Sequence, residues 1–294
     1  MAHRNKQSKF TKPGKGIDAN ERKKNTVFRF FELLVRKTTR LCILNVLYLI
    51  CILPLICAIV ALIVPLFGIS EELVRNTVFI NLLMRISYNW IPLPIGLGLV
   101  ALSAIFYGPV TCGFTYCMRN LATERHVWYS DLFTKAKENF KQGLLIGLLD
   151  IFVFSSFILY TRMDISAVSG SMYYFYMMIR IIAIVVAVFY VFMRYYLYTL
   201  VVTFELPIKG IFKNSYIFAV LGFGRNLLVT ALILLTVFSL SSTPYLDIFL
   251  MISFTFSFCG FLANYATYPV IKKYMLDIKE KPVPELPNQT KTAQ

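Results

Sequence analysis

Acidic side chains are scarce in this chain, and charge of either sign is thin. Asp and Glu number 15 against 30 Lys and Arg, so only 15% of the 294 residues are charged. A water-facing globule carries about a quarter of its residues charged, which excludes an ordinary soluble domain. Only two His are present; His3 and His126 stand too far apart for a histidine metal centre. The six cysteines, Cys42, Cys51, Cys57, Cys112, Cys117 and Cys259, form no CxxC pair and all fall in apolar runs. They read as small packing residues, neither disulfides nor ligands. A Walker loop, a complete GxGxxG, an HExxH and a serine nucleophile elbow are missing too. Gly96 with Gly98, and Gly222 with Gly224, make a GxG without the rest of a phosphate loop. No catalytic residue, cofactor or metal is expected.

What the chain has in abundance is apolar length: 57% of it is hydrophobic. A bilayer core of about 30 Å is crossed by roughly 20 apolar residues in a helix, because the backbone must satisfy its own hydrogen bonds where water is absent. Runs of this kind recur without the polar stripe that a soluble amphipathic helix shows every three or four residues. The expected fold class is all-α, a polytopic transmembrane bundle of about six spans at 41–69, 88–118, 143–161, 173–203, 226–246 and 248–271. A short interfacial helix over 26–40 leads into the first. Residues 1–25 and 273–294 read as disordered tails. The first run is too long for a signal core and is expected to stay in the mature protein.

Six spans place the connecting segments alternately on two sides. One side then holds 25 Lys and Arg (residues 1–40, 119–142, 204–225 and the tail), the other only Arg75, Arg85 and Arg162. By the positive-inside rule both termini are cytoplasmic and the membrane is the plasma membrane. The net charge of +15 therefore points to anionic inner-leaflet lipid, not to nucleic acid.

Ionisable residues inside spans are costly and need partners. Asp150 lies about 10 Å inside the third span and Arg194 about 15 Å inside the fourth, at 1.5 Å per residue, so the two can pair. Such a pair either fixes helix packing or, with Arg180, marks a small transporter or channel. Arg180 can also snorkel outward with Tyr173, Tyr174 and Tyr176. Prolines 54, 65, 92, 94 and 109 are expected to kink the first two spans. Gly143 and Gly147 form a GxxxG, and Ala104, Gly108 and Cys112 a small-residue ridge; both suggest close helix contacts.

The two larger cytoplasmic loops share a pattern. Tyr129 to Phe133 leads into Lys135, Lys137, Glu138, Asn139, Phe140 and Lys141, with Ser130 or Asp131 as a helix cap. Glu205-Leu206-Pro207 leads into Lys209, Ile211, Phe212, Lys213, Asn214 and Ser215. Each starts acidic and continues as a basic amphipathic helix, which either lies on lipid or docks a protein partner.

Gly108-Pro109 with Gly113, Arg119-Asn120, Trp128 to Phe133, Lys137-Glu138-Asn139-Phe140 and Lys213-Asn214-Ser215, spread over most of 26–272, together resemble the YesL-like family, bacterial membrane proteins of unknown function found mainly in Firmicutes. The long basic segment before Thr26 departs from that pattern. The resemblance implies no catalytic residue. It implies a genetic context of carbohydrate uptake, and so an accessory or regulatory role beside an ABC-type permease or ATPase. Trp128, Asp131, Phe133, Lys137, Asn139, Phe140, Lys213 and Asn214 are the candidate contacts for partner or lipid.

Overall fold

The computed structural model describes residues 26–67, 93–162, 170–241 and 249–276, and every regular element among them is helical. These are α1 (Thr26–Phe67), α2 (Leu93–Ala122), α3 (Asp131–Glu138), α4 (Phe140–Arg162), α5 (Ser171–Val201), α6 (Ile208–Leu221), α7 (Phe223–Ser241), a π-helical turn (Met251–Thr255), α8 (Phe256–Ile271) and a second π-helical turn (Lys272–Leu276). The tail at 1–25, most of the loop with Arg75 and Arg85, Pro92, the 163–169 connection, the hairpin turn at 242–248 and the tail from 277 lie outside the described residues. The chain forms two compact units, Met1–Arg36 and Lys37–Gln294. In the first, the Phe30 and Phe31 rings meet edge-on, and Val27, Phe28 and Val35 are exposed.

Three described helices are long and apolar enough to cross a membrane, with apolar windows in Thr26–Ile56, Phe140–Phe157 and Ser171–Val201. The α6–α7 pair makes a fourth if its two limbs, bent by 86°, count as one broken span. The expected spans at 88–118 and 248–271 fall partly outside the described residues. Two boundaries differ from the sequence reading. The 26–40 stretch is no separate helix but the opening of α1, which continues through Pro54. Residues 273–276, expected to begin a disordered tail, instead lie in the π-helical turn Lys272–Leu276 that continues the last helix.

Packing starts from glycine. A Cβ on Gly108 of α2 would stand 1.9 Å from the Gly143 carbonyl oxygen of α4, and one on Gly147 would stand 2.5 Å from the Gly108 Cα. The small-residue ridge and the GxxxG therefore face one another, with backbones closer than any side chain permits. Gly113, one turn on, does the same for α3: its Cβ would fall 1.9 Å from the Leu132 carbonyl oxygen. Leu132 and Ala136 fill the buried side of α3. Helix α2 ends in a Schellman-type turn, with Arg125 N–H on the Asn120 carbonyl at 2.8 Å and Glu124 N–H on Leu121 at 3.3 Å. Glu124 takes the left-handed position (φ 60°) that glycine ordinarily fills.

Helix α5 changes environment along its length. Ile181, Ile182, Val185 and Val186 are more than half exposed, whereas every side chain from Tyr196 to Val201 is buried. A row of exposed branched apolar residues is stable only where the surroundings are themselves apolar. Such apolar helices are compatible with an integral membrane protein, and at the α5 C-terminus Leu197, Leu200, Ile211, Phe218, Val270 and Ile271 form a buried core cluster.

The corner between α6 and α7 is made at Gly222. Its N–H bonds the Phe218 carbonyl and its own carbonyl accepts from Asn226 N–H, both at 2.8 Å. A Cβ there would collide with the Tyr196 hydroxyl at 2.3 Å. That hydroxyl donates to Asn226 Oδ1 at 2.9 Å.

Candidate functional site

Asp150 of α4 is fully buried. Its carboxylate accepts three hydrogen bonds: Tyr190 Oη on Oδ1 at 2.6 Å, and Tyr198 Oη at 2.7 Å and Arg194 Nε at 2.8 Å on Oδ2. Tyr190, Arg194 and Tyr198 recur every four residues, so one face of α5 supplies all three. Arg194 extends its Nη2 to the Tyr107 hydroxyl of α2 at 2.9 Å, and its guanidinium lies 5.2 Å from the Tyr198 ring centre. Two charges and three phenols thus form one network across three helices. A buried carboxylate needs such donors to offset the hydration it loses. Arg180 is not part of it; it sits fourteen positions earlier on α5, about 21 Å along the helix. The sequence pointed to the two charges, while the tyrosines escaped notice because tyrosine is common throughout these spans.

A second buried arginine was visible in the sequence only as part of the family-like motif. Arg119, 6% exposed, ends α2 and reaches α5. Nη1 donates to the Val202 carbonyl at 2.9 Å and Thr203 Oγ1 at 2.8 Å, and Nη2 to Asn120 Oδ1 at 2.9 Å. It supplies donors to carbonyls that the end of a helix leaves without partners. Thr203 in turn bonds the Thr199 carbonyl, and Thr199 Oγ1 donates to Asn264 Oδ1 of α8 at 3.1 Å. No carboxylate among the described residues pairs with Arg119.

Asn45 of α1 makes the third polar junction. Its Nδ2 donates to the Met251 and Ile252 carbonyls at 3.0 and 2.7 Å, and its Oδ1 accepts the Ser257 N–H at 2.8 Å. A π-helical turn shifts the helical hydrogen-bond register, and one side chain serves both sides of the shift.

The loop residues divide into two groups. Trp128 (67% exposed) and Phe133 (51%) project outward beside Tyr129. The expected cap differs: Ser130 is helical with no side-chain bond. Asp131 instead accepts the Trp128 N–H at 2.9 Å, because its side chain already points back over the turn. The other group lines a cleft of about 890 Å³ bounded by Lys135, Lys137, Glu138, Asn139, Phe140, Lys141 and Gln142 on one wall and Val201 to Leu206 on the other. Gln142 Nε2 bridges the walls by donating to the Leu206 carbonyl at 2.9 Å. Lys135 pairs with Glu138 at 2.5 Å, and that hydrogen bond holds its ammonium above the usual lysine pKa. Asn139 and Asn214 share a local geometry, each donating Nδ2 to the carbonyl four residues back, on Lys135 and Gly210, at 2.9 Å. Asn139 nonetheless ends α3, while Asn214 lies within α6. Lys213 is exposed beside it. The two loops thus contribute unequally: the first supplies one cleft wall, the second only its leading residues.

No protein family, curated protein or solved structure matches the chain at a significant level.

Proposed function

We propose that this is a non-enzymatic, six-span plasma-membrane protein with both termini in the cytoplasm, acting as an accessory or regulatory partner of an ABC-type carbohydrate uptake system. The context comes from the YesL-like resemblance, and the topology from the 25-to-3 division of basic residues. The observation that carries a partner role is the platform made by α3. The Leu132 backbone lies so close to Gly113 that even a Cβ there would stand 1.9 Å from its carbonyl oxygen, and this close seat carries the exposed Trp128, Tyr129 and Phe133. Aromatic anchors of this kind concentrate binding energy at protein interfaces. The candidate Asp150 pair favours this reading over a transporter, since both carboxylate oxygens are already engaged by protein donors.

The test is purification in gentle detergent with mass spectrometry of what accompanies the chain. A named ABC permease or its ATPase should co-purify with the wild type. It should be reduced about tenfold or more by the double substitution Trp128→Ala and Phe133→Ala, as for loss of interface anchors worth above about 1 kcal/mol each. Recovery of the chain with neither permease nor ATPase, or substrate flux through reconstituted vesicles, overturns it.

A further inference from the structure

The cleft beneath α3 is separate from the aromatic platform, and its position limits what can occupy it. Phe140, on one wall, is the first residue of the Phe140–Phe157 candidate span; Val201, on the other, is the last residue of the Ser171–Val201 span. The cleft therefore opens where two membrane helices leave the hydrocarbon, at the level of lipid headgroups. A volume of about 890 Å³ suits a small-molecule-sized group, for which sites run from roughly 300 to 1,000 Å³.

The walls are fixed before anything binds. Gln142 ties α4 to Leu206, Arg119 holds Val202 and Thr203 from behind, and the Phe140 ring packs edge-on against Phe106 of α2. Their charges are arranged asymmetrically. Lys135 is satisfied by Glu138, but Lys137 and Lys141, both exposed, form no ion pair among the described residues. Glu205 on the facing wall likewise has no basic partner among them. Two free ammonium groups on one side and a free carboxylate on the other complement a ligand that carries a phosphate next to a cation. A purely anionic headgroup satisfies the lysines and leaves Glu205 repelled. A quaternary ammonium offers Glu205 no N–H donor.

We propose that this cleft binds the headgroup of a zwitterionic aminophospholipid of the adjoining leaflet, with the phosphate on Lys137 and Lys141, the primary ammonium on Glu205, and Phe140 and Phe204 flanking the start of the acyl chains. Lysine is a suitable phosphate donor as a mobile point charge, and charge-assisted bonds on both ends of the headgroup select it from lipids that match only one. This inference stands independently of the transporter-partner reading.

The experiment uses the full chain in detergent, supplied in turn with phosphatidylethanolamine, phosphatidylglycerol and phosphatidylcholine, with bound lipid counted by native mass spectrometry. Phosphatidylethanolamine should be retained roughly two- to fivefold over either of the others, the factor expected for accessible charge contacts of a few tenths to 1 kcal/mol. Glu205→Gln should shift the preference to phosphatidylglycerol, and Lys137→Gln with Lys141→Gln should remove both. Equal retention of the three lipids by the wild type overturns the proposal, as does a preference that survives all these substitutions. Should a variant melt lower than the wild type, a photoactivatable phosphatidylethanolamine on the wild type decides instead: crosslinks within 137–142 and 201–206 support the site, and crosslinks elsewhere refute it.

Discussion

The Arg194 guanidinium meets the Asp150 carboxylate at 2.8 Å with a tyrosine on each side of the pair, so this buried ion pair is also a junction of α2, α4 and α5. The arginine side chain keeps 26% of its surface accessible and the aspartate 1%. The aspartate is therefore the member that cannot be left alone.

Removing Asp150 by Asp150→Leu should cost about 3–5 kcal/mol, because it strands a charged guanidinium and two phenols. Replacing both partners, Asp150→Leu with Arg194→Leu, should recover most of that loss, since a pair of apolar groups leaves no unpaired charge. Thermal melting in detergent reads both. A double variant that melts no higher than the single one shows that the two side chains do not act together.

The glycine crossing makes a sharper prediction. Gly108→Ala places a methyl 1.9 Å from the Gly143 carbonyl oxygen, and backbone cannot yield as a side chain can. Loss of folded protein is expected, scored by monodisperse yield. Gly224→Ala is the control: nothing lies within 4 Å of its Cβ position, and a helical alanine there should be neutral or add up to about 1 kcal/mol. Equal behaviour of the two variants would remove the crossing from the account.

Asn45→Leu should release the π-helical turn. It leaves the Met251 and Ile252 carbonyls and the Ser257 N–H without their partner, at about 1–3 kcal/mol for a stranded buried polar group. Hydrogen exchange over 251–257 should accelerate well beyond that of α2. Unchanged protection across this stretch would mean that Asn45 does not hold the turn.

The sequence gives away what depends on composition or on uninterrupted length. The helical class, the α4 and α5 windows and the presence of close helix contacts at the Gly108 and Gly143 segments follow from apolar runs and small residues at four-residue spacing; that these two segments face one another comes from the structure. The pairing of Asp150 with Arg194 was reachable from depth alone, since two intramembrane charges have few other ways to be satisfied. Asn45 and Arg119 were not legible as junctions. Each serves backbone groups, and which carbonyl needs a donor depends on where a distant helix ends or slips register. The break at Asn139 was hidden because locally it resembles Asn214, which makes the same side-chain bond within α6.

The bonds of Asn45 also set an order of assembly. Its partners lie 206 to 212 positions further along the chain, whereas α2, α3 and α4 interlock within the single stretch 93–162. Short-range contacts form first because they close small loops. The glycine-locked trio can thus settle while the ribosome is still producing α5. Asn45 of α1 stays without these partners until the last helix is made.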